Sequence, residues 1–144
     1  MVLSNSDILR LHSGDALTEV VKHLSQEKIN LYAEASGDFN PIHIDEQFAA
    51  QTDLGGTIAH GMLILAYVSE MMTLTFGKNW HSTGKLSARF KTPVRSEDTI
   101  TITGKIDSIS RDDNSLNFIC TITCHNQQYQ TNVQGKATVK VLKS

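Results

Sequence analysis

From Gly37 to His43 the chain reads G-D-F-N-P-I-H. Asp38 and His43 are the side chains in this stretch that can exchange protons near neutral pH. Pro41 between them bars an ordinary helix from running through the segment, so both are expected on a bent loop. A carboxylate and an imidazole presented together in this way have the makings of a general acid–base pair. Asp38 and Asn40 are also the residue types of a plain turn, in which their side chains accept backbone hydrogen bonds.

Other chemistries are poorly represented. His43, Asp45 and His60 supply metal-ligand types, but their spacing matches no local zinc pattern such as H-E-x-x-H, and no metal site is expected. Cys120 and Cys124 sit four apart in a strand-like stretch. They therefore share a face at roughly 13 Å, beyond disulfide reach, and read as two small buried hydrophobes. The glycine pair Gly55-Gly56 is too little for a phosphate loop, so no cofactor is implied. His12, His23, His81 and His125 are scattered and expected to face solvent.

The 144 residues fit a single domain, 1–144, with one hydrophobic core. A formal net charge of -2 gives no electrostatic footprint for nucleic acid or an anionic membrane. The N-terminal stretch lacks a basic segment followed by an apolar run, so no signal peptide is visible. The apolar run Gly61 to Phe76 contains Glu70 and falls short of the about 20 residues a bilayer requires. A cytoplasmic location is the resulting expectation.

The elements that must position the loop follow from periodicity. Met1 to Asp15 reads as an irregular lead-in and Ala16 to Leu24 as a first strand. Ser25 has the form of an N-cap for a helix on which Ile29, Tyr32, Ala33 and Ser36 recur, and Gly37 supplies its stop. Asp45 to Gln51 predicts a second short helix packing through Phe48 and Ala49. After the glycine-containing loop, Gly61 opens a helix with almost no polar face, expected to be buried nearly all round. Period-two alternation then takes over at Leu86 to Phe90, Ile100 to Ile106, Leu116 to Ile122 and Val133 to Val141. Hairpin turns are expected at Arg111 to Asn114 and Asn126 to Gln128. Successive strands around one apolar helix predict an α+β fold with an antiparallel sheet.

The order helix, G-D-x-N-P-x-H, short helix, A-H-G-M at Ala59 to Met62, buried helix, then K-L-S-x-R-F-K-x-P-V at Lys85 to Val94 resembles the MaoC-like hydratases, or (R)-specific enoyl-CoA hydratases. The resemblance runs from about Gly14 to the C-terminus. It implies a hot-dog fold, an antiparallel β-sheet wrapped around one long buried helix, usually paired as a homodimer. It also implies a reaction: reversible addition of water to a trans-2-enoyl thioester of coenzyme A or acyl carrier protein, giving the (3R)-hydroxyacyl thioester.

That reaction has three requirements. Water must lose a proton as it attacks C3, C2 must gain one, and charge grows on the thioester oxygen. By resemblance the family's catalytic aspartate falls on Asp38 and its histidine on His43. Asp38 is assigned mainly as base, while His43 orients water and exchanges the proton with C2. The Gly61 backbone N–H, at a helix N-terminus, is assigned to the oxyanion. Asn40, Pro41, His60 and Met62 complete the binding set, with Asn40 and Pro41 shaping the loop and His60 anchoring the segment before the helix.

Arg89 and Lys91 read either as a solvated strand face or as partners for coenzyme A phosphates or an acidic carrier. Met62, Leu65, Val68, Met71 and Met72 could line an acyl tunnel, but most of them read as core packing of the buried helix. Ala35 and Ala66 depart from the family pattern, Ala66 standing where some members carry a serine near the water. One hot-dog unit points to a short or medium acyl group. The alternatives are a hot-dog acyl-CoA thioesterase and a non-catalytic subunit of a heterodimeric dehydratase.

Overall fold

The structure, a computed structural model, describes residues 2–143. Its N-terminus is more regular than expected. Ser4 accepts the Asp7 N–H and starts a one-turn helix, α1 (Asn5–Ile8), which buries Ile8. The first strand is shorter than the alternation suggests: β1 covers Val20–His23, and Ala16 contributes only an isolated bridge to Lys105.

Helix α2 (Gln26–Ser36) begins where Ser25 Oγ accepts the Lys28 N–H. It ends at Gly37, whose φ of 77° is left-handed and suits glycine. The Asp38–His43 segment differs from the expected loop. Pro41 starts a helix instead of preventing one, because the missing N–H costs nothing in a first turn. Asn40 caps this turn, α3 (Pro41–Ile44), by accepting the Ile42 N–H, so His43 projects from a helix and Asp38 from the loop before it. Asp45 accepts the Phe48 N–H and caps α4 (Glu46–Ala50). Ala49 of α4 is buried as expected, whereas Phe48 is 47% exposed.

Helix α5 (Gly61–Phe76) has the expected bounds. Leu63, Ile64, Val68, Met71, Met72 and Phe76 face the sheet and are buried. Burial all round does not hold: Met62 and Ala66 are exposed, and Leu65, Ser69 and Thr73 are half-buried. The sheet covers one side of the helix, while a short helix, α6 (Lys78–Thr83), leans on its C-terminal half and donates from Trp80 Nε1 to Ser69 Oγ at 2.8 Å. The outer face of the first turns is left open.

The sheet holds five strands: β1, β2 (Lys85–Phe90), β3 (Thr99–Arg111), β4 (Ser115–His125) and β5 (Thr131–Leu142). Their order is β1-β3-β4-β5-β2, antiparallel throughout. The turns fall at the predicted places. Asp112 accepts the Asn114 and Ser115 N–H groups, and Asn126 those of Gln128 and Gln130.

One face of the strands packs on α5 through Ile100, Ile102, Ile106, Phe118, Cys120, Ile122, Val139 and Val141. Each of the larger apolar side chains contributes about 1.5–3 kcal/mol by leaving water. Phe76 of the helix meets Phe118 of β4 with ring centroids 5.0 Å apart. Gly104 permits the close approach of helix to sheet, since a Cβ there would lie 2.9 Å from Met71 Cε and 2.7 Å from Leu17 Cδ1. Cys120 and Cys124 are free and buried among these side chains, and burial pushes both thiols up to about 12.

Candidate active site

The ends of three elements meet at the N-terminus of α5. The loop after α2 brings Asp38, α3 brings His43, and the residues entering α5 bring His60 and Gly61. His43 is buried and its ring is fixed from behind: Nδ1 donates to the Ile58 carbonyl at 2.8 Å. A carbonyl can only accept, so Nδ1 carries the hydrogen and Nε2 of the neutral ring presents a lone pair. Nε2 lies 3.8 Å from Asp38 Oδ2. That is too long for a direct hydrogen bond and leaves both atoms able to bind a third group. The Asp38 carboxylate is itself 53% exposed, and its Oδ1 accepts the Asn40 N–H at 3.2 Å, which ties the loop to the cap of α3.

His60 lies beneath this pair. Its ring stacks on His43 with centroids 3.8 Å apart and 26° between planes, and Tyr32 of α2 tilts against it at 4.8 Å. Nε2 donates to the Asp38 backbone carbonyl at 3.0 Å. Desolvation by burial, reinforced by the neighbouring His43, pulls its pKa below the ordinary imidazole value, against the hydrogen bond to Asp38 and that residue's charge. With its side chain turned to Asp38, His60 does not cap α5 although it holds the N-cap position. The Gly61 and Met62 N–H groups consequently have no protein acceptor among the described residues. They leave a partial positive charge at the helix end.

A cavity of about 270 Å³ opens beside these groups. His43, Ala59, Gly61 and Ile64 form one wall, and Phe90, Thr92, Asn132 and Val133 form the other. Gly61 admits the Phe90 ring, since a Cβ there would sit 3.0 Å from ring carbons Cε1 and Cζ. The arrangement offers two hydrogen-bonding groups for one small polar molecule, an apolar slot for a chain, and free N–H donors for an anionic oxygen.

Asp38, His43 and His60 offer ligand atoms within 4.8 Å of one another. Stacked rings, however, direct their lone pairs side by side instead of toward one point, and His43 Nδ1 and His60 Nε2 are committed to backbone carbonyls. The geometry suits hydrogen bonding better than metal ligation. Asp45 lies outside this group as the cap of α4.

A family model described as MaoC like domain matches residues 10–127. The chain belongs to the MaoC-like family. The (R)-specific enoyl-CoA hydratase of Rhodospirillum rubrum is 31% identical to it over 146 residues, covering 95% of this chain and 96% of that one. The 3-hydroxybutyryl-CoA dehydratase of Methylorubrum extorquens is 30% identical over 132 residues, covering 88% and 80% respectively. Among solved structures, the (R)-hydratase from A. caviae matches with a TM-score of 0.80 at 28% identity, covering 92% of this chain and 98% of that one. The sheet and its long helix have the hot-dog fold of these MaoC-like relatives.

Within the MaoC-like chain the expected site residues separate into two groups. Asp38, His43, His60 and Gly61 come together, and Asn40 and Pro41 shape the turn that carries His43. Lys91 lies on the cavity wall, whereas Arg89 faces an adjoining surface depression with Lys91, Gln134 and Lys136. Met62 is 64% exposed and does not line the cavity. Ala66 is likewise exposed and absent from the lining. Val68, Met71 and Met72 are fully buried core residues, as anticipated.

Several contributors were not anticipated. Gln26 donates from Nε2 to the His43 carbonyl at 2.7 Å, and its Oε1 accepts the hydroxyl of buried Thr57, bracing the turn. Asn132, fully buried in β5, donates to the Thr92 carbonyl and lines the far wall. Its sequence signal is slight, an amide out of phase with the inward-facing Val133, Gly135, Ala137, Val139 and Val141. Phe90 and Thr92 carry no comparable signal.

Proposed function

We propose that this chain is a hydro-lyase that reversibly hydrates trans-2-enoyl thioesters to (3R)-hydroxyacyl thioesters, with Asp38 and His43 on the water and the Gly61 N–H on the thioester oxygen. The observation that carries this reading is the fixed tautomer of His43, which aims an empty Nε2 at the space it shares with Asp38 Oδ2, 3.8 Å away. The names of the R. rubrum and M. extorquens relatives support the same reaction.

A water in that space gives one hydrogen to the carboxylate and the other to Nε2, which turns its oxygen lone pair toward the cavity. Attack on C3 forms the C–O bond, and the C2–C3 π electrons move toward the thioester carbonyl. The Gly61 N–H and the dipole of α5 stabilise the resulting enolate oxygen. Asp38 is the principal base. It takes one water proton as the C3–O bond forms and passes it to the Nε2 lone pair of His43, which releases it to C2 because Nδ1–H is held by Ile58; the water's other hydrogen stays on the new C3 hydroxyl, and both side chains return to their starting protonation states. The water is held on one face of the double bond, which fixes the face of C3 that it attacks and with it the configuration of the product. No step requires a cofactor.

A cavity of about 270 Å³ suits a short or medium acyl chain. Arg89 in the adjoining depression and Lys91, which lines both it and the cavity, are the candidates for the phosphates of coenzyme A or an acyl carrier protein. A homodimer fits the sheet edge: β2 has an unpaired side, and Phe90 at its end is 54% exposed. The chain purified alone is expected to consume the enoyl absorbance of crotonyl-CoA and give the (3R)-product without releasing thiol. An (S)-product refutes the stereochemistry. Free thiol would indicate a thioesterase, and an inert but folded chain would indicate a subunit that serves a catalytic partner.

A further inference from the structure

We infer that His60 is a positioning residue for the hydration step, one that aligns Asp38 against His43 through its Nε2–H without touching the substrate. The inference rests on the catalytic reading of Asp38 and His43. His60 is 2% exposed, yet its imidazole spends its hydrogen on a backbone carbonyl and leaves Nδ1 buried with no hydrogen-bond partner among the described residues. Leaving a buried polar atom unpaired costs about 1–3 kcal/mol, so the ring is poorly explained as packing.

Its contacts explain it better. The carbonyl it holds belongs to Asp38 itself, and the ring it stacks on is that of His43. Tyr32 lies against it as well, tilted by 57°. A single ring therefore sets the height of the carboxylate loop against the plane of the catalytic imidazole. Turning inward to do so, it also leaves the N-terminus of α5 uncapped and the Gly61 N–H free.

The charged and titratable groups around it are Tyr32 on α2, Asp38 on the loop and His43 on α3. In the proposed resting state both imidazoles are neutral, which keeps two positive charges from meeting across the stack. The two rings are then in opposite tautomers: hydrogen on Nδ1 in His43 and on Nε2 in His60.

Two measurements test this. Nitrogen NMR of the uniformly labelled, unmutated protein near neutral pH is expected to report one buried neutral Nδ1–H ring and one buried neutral Nε2–H ring. A protonated His60, or the Nδ1–H tautomer there, overturns the proposal whether or not the chain hydrates crotonyl-CoA. The second measurement uses two substitutions. His60→Gln keeps a donor at the reach of Nε2 and loses the flat ring, while His60→Phe keeps the ring and loses the donor.

Alignment through the donor predicts that H60F lowers kcat at least tenfold with KM for crotonyl-CoA nearly unchanged, and that H60Q recovers most of that loss. Packing alone predicts the reverse order. An H60F variant as active as the parent, or equal losses in both variants, refutes the role. If neither variant folds, the tautomer measurement decides. A parent protein with the expected tautomers but no hydratase activity would refute the proposed reaction and leave the geometry of His60 standing.

Discussion

Replacing Asp38 by Asn removes one charge and leaves the shape of the site intact. The carboxylate is 53% exposed, and its one backbone contact, Oδ1 to the Asn40 N–H at 3.2 Å, can be made equally well by an amide oxygen. The structural cost should be within about 0.5 kcal/mol, the range of ordinary surface changes. The chemical cost is different. Oδ2, 3.8 Å from His43 Nε2, becomes an NH2 group that offers the water a donor where it had an acceptor. Water would then lose its base and half of its orientation.

Removal of a positioned general base costs typically 10²–10⁴-fold, equivalent to about 3–5 kcal/mol of transition-state stabilisation. KM should move little, because Asp38 does not line the acyl cavity. The assay is initial-rate hydration of crotonyl-CoA, followed by loss of enoyl absorbance, beside a thermal melt of both proteins. An unchanged melting temperature with kcat lowered by about two decades or more is the expected pair of results. A D38N protein with kcat within about threefold of the parent would exclude Asp38 as the base, and with it the shared-water geometry.

Other perturbations read different parts of the molecule. Gly61→Ala puts a Cβ 3.0 Å from the Phe90 ring, which is 54% exposed and free to swing outward, so stability should hold while crotonyl-CoA turnover falls about tenfold as the cavity mouth changes; unaltered turnover would remove Gly61 from the site. Gly135→Ala meets backbone instead, with Ser87 O at 2.2 Å and Ala88 Cα at 2.9 Å, and should cost about 1–3 kcal/mol in urea unfolding by forcing β2 away from β5. The buried thiols predict an alkaline effect: pushed from the ordinary 9.0 to about 12, Cys120 and Cys124 keep their protons when folded and lose them first when unfolded. Their contribution is complete below pH 9.0 and declines as pH rises toward about 12, so a Cys120→Ala/Cys124→Ala double variant should lose less stability across that window than the parent.

Local signals in the chain were sufficient for local structure. Ser25, Gly37 and Asp45 each end or begin a helix through contacts within a few residues, and those boundaries are where the residue types place them. The apolar run from Gly61 to Phe76 is a helix with those limits. Pro41 illustrates how one residue supports opposite conclusions: it does break the path from α2, but its fixed φ also begins α3 and thereby sets the direction of His43.

What sequence does not carry is the far wall of the cavity. Phe90, Thr92 and Asn132 reach it only because β2 pairs with β5 at the sheet edge, a long-range register that no local pattern encodes. The same limit explains Met62 and Ala66. The apolar run around them predicted burial nearly all round the helix, yet the sheet curves round only one side of α5 and leaves theirs open. Short elements such as α1 and α6 escaped detection because four to six residues are too few to establish a period.

The proton-handling groups and the acyl wall come from separate parts of the chain. Asp38, His43, His60 and Gly61 belong to one continuous segment braced by its own hydrogen bonds, whereas Phe90, Thr92, Asn132 and Val133 hang from strands much later in sequence. Among the described residues the side chains of Phe90, Thr92, Asn132 and Val133 make no hydrogen bond to that segment, so through them the cavity wall can be remodelled, wider or narrower. For engineering, that makes substrate range and reaction type two adjustable settings: a library confined to the β2, β2–β3 and β5 positions should yield variants that differ in the thioester they accept and share one stereochemistry.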